Sequence, residues 1–253
     1  MLTGGDSLTV EAIIEQLEPS TLISKRDFER LVHNIEPQYS ERSMYWLLSK
    51  LKKMWKLQST GRNSFFVLDQ MNPKPEYVYS HSHVMEDVIS RIEKEYPLVH
   101  FQVWELVQMN EFINHQVARN VLFVEVESML EETVFNLLSE VYHRVLLRPS
   151  NEVFYTYNGE NMIVIQKLLS EALKPLAGTH SCCLEKILVD LFSKKLTGHL
   201  LQRAEYEMIY ETAFNRYCIG EVKMFRYARR RNLEKEIRSF IREKTSLRLL
   251  TEG

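Results

Sequence analysis

The chain has 253 residues, 45% apolar and 26% charged, which is the composition of a folded protein of one or two domains and excludes wholesale disorder. No apolar run exceeds six residues, far short of the ~18 that span a bilayer. The formal charge is only −2, but it is segregated. Residues 1–70 hold nine basic and nine acidic residues, 71–220 hold thirteen and twenty, and 221–253 hold ten and five. A near-neutral total therefore does not exclude nucleic acid as a partner, because a local patch supplies phosphate contacts. The N-terminal MLTGGDSLTVEAIIEQL has no basic region ahead of an apolar stretch. No signal peptide is read there, and a cytoplasmic location without membrane association is expected. Three cysteines, two of them adjacent (Cys182, Cys183), make no disulfide framework and fit a reducing compartment.

The first helix is expected over Ser7–Leu17, with Leu8, Ile13, Ile14 and Leu17 at helical spacing, ending at Pro19. A second short helix follows Ser24 as N-cap, with Phe28, Leu31 and Val32 inward. Pro37 and Ser40 open a third. From Arg42 to Leu68 there is no acidic residue, whereas Arg42, Lys50, Lys52, Lys53, Lys56 and Arg62 give six positive charges. Gly61, between Lys56-Leu57 and Phe65-Phe66-Val67, marks a hairpin turn. Three helices and a hairpin within residues 1–70 are the layout of a winged helix-turn-helix. Residues 71–80, which follow the broken stretch DQMNPKP, are expected to be a linker.

The remainder, 81–253, alternates short apolar strands with helices. Strands are expected at Leu98–Leu106, Val121–Glu127, Arg144–Arg148 and Met162–Gln166. Helices are expected at Met109–Val117, Glu131–Tyr142, Cys183–Lys194, Glu205–Arg216 and, unbroken, Glu221–Thr245. The predicted fold class is α+β: a winged helix-turn-helix followed by a mixed α/β domain.

On the third helix, Met44, Leu47, Leu48, Leu51 and Met54 fall within about 120° of arc, a core stripe. Arg42, Trp46, Ser49 and Lys53 cluster opposite, flanked by Tyr45 and Lys50. A helix that enters a DNA major groove needs this division. Arg42 and Ser43 are assigned to base edges. Lys50, Lys53, Lys56 and Arg62 are assigned to phosphates, and Lys25 and Arg26 to the flanking backbone. Trp46 on the polar face is costly to expose without a partner, so it is expected at the DNA surface or at a dimer contact.

A helix-and-hairpin opening followed by FVEVES (Phe123–Ser128), LEKILVDLF (Leu184–Phe192) and FRYARRR (Phe225–Arg231) resembles the AbiEi-type antitoxins of bacterial type IV toxin–antitoxin (abortive infection) systems. The likeness runs in order through nearly the whole chain, although each motif is short. It implies a transcriptional repressor that binds operator DNA of its own operon, with a homodimer on DNA to offset the modest basicity of residues 1–70. It also implies a C-terminal domain that counteracts a nucleotidyltransferase-type toxin without a stable complex. Neither cofactor nor metal is implied.

The rival of another class is an enzyme. Glu125 and Glu127, two apart on a strand, share a side, and with Asp190 they would hold Mg²⁺ for phosphoryl transfer. Against this, NHQVARNVLF ahead of Glu125 contains no glycine to cradle phosphates. The domain is therefore read as a non-catalytic relative of a nucleotidyltransferase fold, with no catalytic residue assigned. In LEKILVDLF, Leu184, Ile187, Leu188 and Leu191 form a core stripe, and Glu185 or Lys186 is expected to pair with Asp190 along an edge off it. His180-Ser-Cys182-Cys183 lacks a second pair at zinc spacing, so free thiols are expected. His81 and His83 are read as solvated. Lys223, Arg226, Arg229, Arg230 and Arg231 form a second basic cluster. It is either a solvated face paired with Glu234 and Glu236, a phosphate-binding patch, or the surface of antitoxin action. A third reading is a winged-helix transcription factor whose second domain senses a ligand.

Overall fold

The computed structural model describes residues 4–54, 56–60, 63–68, 74–117, 119–156, 159, 161–169, 172–175, 179–193 and 201–251. The chain is mixed α+β and divides into two compact units: Met1–Pro75 with Gly220–Val222 and Arg248–Gly253, and Glu76–Ile219 with Lys223–Leu247. No helix among the described residues is long and apolar enough to cross a membrane.

The first unit runs α1 (Gly4–Gln16), β1 (Leu22–Ser24), α2 (Lys25–Ile35), α3 (Glu41–Lys53), β2 (Leu57–Ser59) and β3 (Ser64–Val67). Two serines set the helix starts. The Ser24 hydroxyl accepts from Asp27 N–H, and the Ser40 hydroxyl from Ser43 N–H, each satisfying a donor with no partner inside its helix. Phe28 and Val32 of α2, and Met44, Leu47, Leu48 and Leu51 of α3, close on Ile13 and Leu17 and on Leu57, Phe65 and Val67 of the strands. The three strands form an antiparallel sheet in the order β1-β3-β2, with Leu22 opposite Phe66 and Leu57 opposite Val67. β1 is not anticipated: three residues are too few to carry a periodic signal. Met54 departs from its expected core position. The helix stops at Lys53, so Met54 leaves the helical progression as the C-cap and is 43% exposed. Gly61 and Arg62 lie outside the described residues, as do 69–73 of the linker region.

The second unit contains α4 (His83–Glu95), β4 (Phe101–Glu105), a 3-10 helix (Leu106–Glu111), β5 (Val121–Val126), α5 (Glu131–Ser139), β6 (Val145–Leu147), α6 (Asn151–Thr156), β7 (Met162–Lys167), α7 (Leu184–Asp190), α8 (Glu205–Arg216), most of α9 (Glu221–Arg230), and α10 (Glu234–Lys244). Its four-stranded sheet has the order β4-β5-β7-β6, with β4 antiparallel to β5 and the other neighbours parallel. Because side chains alternate along a strand, β5 divides its residues between two layers. Leu122, Val124 and Val126 pack into a core with Met85, Val88 and Ile92 of α4 and Val134 and Leu138 of α5. Phe123 and Glu125 point to the other face, where Phe123 stacks on Trp104 of β4 at 4.4 Å between ring centroids. The row Gln102, Glu125, Gln166 crosses three strands in register on that face.

Four expectations are corrected here. Residues 77–79 of the expected linker pack into this unit: Tyr77 is buried against Phe112 and Tyr217, and the Tyr79 hydroxyl donates to Glu105 at 2.8 Å. Met109–Val117 is not an α-helix. The Asn110 side chain accepts from Val117 N–H at 2.7 Å and the Asn120 side chain from Val107 N–H at 3.3 Å, so local side-chain bonds replace helical ones. Leu98 and Leu106 fall outside β4, Leu98 being 88% exposed. The unbroken terminal helix is two helices, parted at Asn232, whose φ of 58° is left-handed. There Asn232 N–H donates to Arg229 C=O and Leu233 N–H to Ala228 C=O, the paired bonds of a Schellman ending.

Candidate functional site

Two constellations concentrate polar chemistry, one in each unit. In the first unit, burying Leu47, Leu48 and Leu51 turns the opposite side of α3 outward. Arg42, Tyr45, Trp46, Ser49 and Lys53 are exposed, and Lys50 and Lys56 are half-buried. Trp46 is 38% exposed, so it is not a core residue of its own unit. The Lys50 ammonium lies 4.8 Å from its ring centroid. Tyr45, 62% exposed, is matched in the same way: the Lys25 ammonium lies 4.7 Å from its ring and donates to its hydroxyl at 3.2 Å. That hydroxyl bond, with help from Glu29 3.4 Å away and against burial, holds the Lys25 pKa above its ordinary value. Arg26 is exposed beside it. Ser43 is committed locally, since its N–H and hydroxyl both meet the Ser40 cap, at 3.2 and 2.8 Å.

Lys52 was counted in the charge run but given no role. It projects toward the hairpin, its ammonium 4.7 Å from the Phe65 ring, and burial pulls its pKa down. Lys25, Tyr45, Ser49, Lys52, Ser59 and Asn63 border an open groove of ≈ 580 Å³ between α3 and the sheet. Lys25 N–H donates to Asn63 C=O at 2.7 Å, which fixes the start of α2 against the hairpin at the groove's rim.

In the second unit the polar residues converge in the interior. Every residue of α7 is buried, including Glu185, Lys186 and Asp190, so the expected solvated edge is a correction. Lys186 donates to Glu125 of β5 and, at 2.7 Å, to Asp190 one turn along its own helix. Tyr227 of α9 donates to Asp190 at 3.0 Å, and Arg231 Nε lies 3.2 Å from the same carboxylate. Burial raises the Glu125 pKa, a push that Lys186 opposes. Burial also works against the Lys186 ammonium, yet Asp190 and its other partners outweigh it and hold the pKa well above the ordinary value. The Tyr227 phenol is raised chiefly by burial and secondly by Asp190. Two carboxylates thus face two cations, and formal charge cancels within the cluster.

This arrangement does not assemble the carboxylate trio. Glu127 follows the end of β5 and accepts from His100 N–H at 2.9 Å instead of joining Glu125 and Asp190, while Lys186 stands where a cation would bridge those two. Among the described residues no group of three His, Cys, Asp or Glu side chains is placed to hold a metal ion. Cys182 and Cys183 are buried free thiols, with burial raising both pKa values, Cys183 to about 11. His81 is not solvated as expected: it is half-buried and bonded to the Ser181 hydroxyl, whereas His83 is exposed.

The second basic cluster is not brought together as one patch. Arg226, Arg229 and Arg230 are exposed on α9, Lys223 pairs with Glu185 at 3.3 Å, and Arg231 turns inward. Arg229 makes a two-pronged contact with Glu234, at 2.7 and 3.0 Å. Glu236 pairs with Arg203 instead.

Compared with known proteins, the chain is matched over residues 43–247 by the model of a family described as a family of unknown function, DUF6577. No curated protein and no solved structure matches it.

Proposed function

Since the chain belongs to DUF6577, whose description assigns no activity, we propose a role from its own residues: a DNA-binding regulator that serves as the antitoxin of a type IV toxin–antitoxin pair. The first unit acts as a winged helix-turn-helix, with α3 as the recognition helix and β2–β3 as the wing. One observation carries this reading. The basic, aromatic-bearing face of α3 is exposed beside a two-stranded hairpin, while its opposite face is buried in the unit's core. The order helix, strand, helix, helix, hairpin supports it further. Arg42 and Ser49 face the bases, and Lys50, Lys53 and Arg26 face phosphates. Arg62 is assigned to the wing on sequence alone.

The second unit is read as the antitoxin half, without catalysis. The motifs that carry the likeness to AbiEi-type antitoxins meet at one place: Glu125 from FVEVES, Lys186 and Asp190 from LEKILVDLF, and Tyr227 and Arg231 from FRYARRR. Their mutual neutralisation suits a structural centre rather than a metal-assisted one.

The test has two arms. The protein should bind a duplex from upstream of its own gene in a salt-sensitive manner, Arg42→Ala should lose sequence preference, and Lys53→Ala should weaken all duplexes alike. Duplex binding untouched by both substitutions would remove the repressor reading. Expression of the neighbouring gene should stop growth unless this protein is co-expressed, and a harmless neighbour would remove the antitoxin reading.

A further inference from the structure

We propose that the groove between α3 and the hairpin takes an unpaired nucleotide, so that the first unit binds single-stranded DNA through Tyr45 in addition to duplex DNA. The inference rests on the reading of this face as a nucleic-acid interface and specifies what the groove within it accommodates.

Duplex DNA offers a protein its base edges and its phosphates, while the ring faces are covered by neighbouring base pairs. An aromatic ring exposed at a protein surface therefore has little to stack on in a regular duplex. It has a partner in every base of a single strand, where aromatic platforms beside a basic groove are the usual arrangement. The first unit has both parts. Tyr45 is 62% exposed, and its ring borders a groove of ≈ 580 Å³, within the ~300–1,000 Å³ typical of small-molecule sites. Ammonium groups of Lys25 and Lys52 stand at the groove for a phosphate, and the Ser49, Ser59 and Asn63 side chains line it as donors and acceptors for base edges.

The cations rest on rings in the free protein, Lys25 on Tyr45 and Lys52 on Phe65. A phosphate entering the groove draws the Lys25 ammonium off Tyr45, and the attached base takes its place on the exposed ring. The exchange replaces one cation–π contact with an ion pair and a stacked base. The rim is held meanwhile by the bond from Lys25 N–H to Asn63 C=O.

The experiment is fluorescence anisotropy with the full chain, using a labelled oligothymidylate of about a dozen nucleotides and the upstream duplex. Circular dichroism confirms that each variant folds. Tyr45→Ala should weaken oligothymidylate binding about fivefold or more and disturb duplex binding less. Tyr45→Phe, which keeps the ring and loses the hydroxyl, should restore most of the single-strand affinity. The proposal is overturned if the oligothymidylate does not bind while the duplex still binds through Arg42. It is equally overturned if Tyr45→Ala leaves single-strand binding intact or weakens both substrates alike, or if Tyr45→Phe is as damaging as Tyr45→Ala. If neither DNA binds, the interface reading itself falls, and this inference falls with it.

Discussion

At the scale of single residues, Lys186 shows most clearly how packing overrides pattern. The i,i+4 spacing to Asp190 was readable from the sequence, and the pair forms. Its environment was not readable, because a Lys–Asp pair on an amphipathic helix is ordinarily at the surface. Only the register that places Glu125 on the inner face of β5, and the contribution of Tyr227 and Arg231 from α9, turns the pair into a buried cluster. A charge in such a setting depends on its partners. Lys186→Met should therefore destabilise the protein by about 3–5 kcal/mol, since it leaves two carboxylates facing Arg231 alone. Urea denaturation is the check, and a loss under about 1 kcal/mol would mean that the cluster is hydrated in solution. Tyr227→Phe removes one donor from buried Asp190 and should cost about 1–3 kcal/mol in the same assay.

Among the elements, the helices with side-chain caps and clean apolar stripes were legible. Ser24 and Ser40 start α2 and α3, and the stripe of α3 is buried except for Met54. Elements without such marks were not legible: β1 is too short, and α4 sits in a stretch read only as post-linker. The corner between α9 and α10 was missed for another reason. Leu233, Ile237, Phe240 and Ile241 repeat at helical spacing, so the apolar pattern gives no sign that the helix changes direction at Asn232. Asparagine was the one local cue, since it tolerates the left-handed conformation. Asn232→Val should destabilise the protein by about 1–2 kcal/mol, while Asn232→Gly should change stability by only a few tenths of that; thermal melts distinguish the two.

The same corner is tied by Glu234, which accepts from Arg229 and Arg238. Those partners, Arg229 first, hold its pKa below the ordinary 4.5, against burial. A depressed carboxylate contributes stability that is complete above its unfolded pKa and is lost as pH falls through the folded one. The contribution should thus be intact above about pH 4.5 and fade below it. In wild type, amide exchange at the start of α10 should accelerate on acidification through that range. In Glu234→Gln it should start faster and vary less with pH.

For the molecule as a whole, charge was the most informative quantity and the most misleading one. The run from Arg42 to Lys56 does lie on one outward face, but the equally basic Lys223–Arg231 run is divided among ion pairs, solvent and the interior. The difference lies in the acidic partners. No acidic residue lies between Arg42 and Leu68, whereas Glu185, Asp190 and Glu234 are folded against the second run. If the first unit is the DNA interface, salt dependence should report its free cations only. Each lysine on a phosphate adds about 0.9 to the slope of log affinity against log salt. Lys53→Ala should lower that slope for the upstream duplex by about 1. Arg229→Ala should leave it unchanged, because its guanidinium is already committed to Glu234. Anisotropy titrations at several salt concentrations measure both slopes. Equal reductions would assign DNA contact to both basic runs, and a reduction with Arg229→Ala alone would move the interface to the second unit.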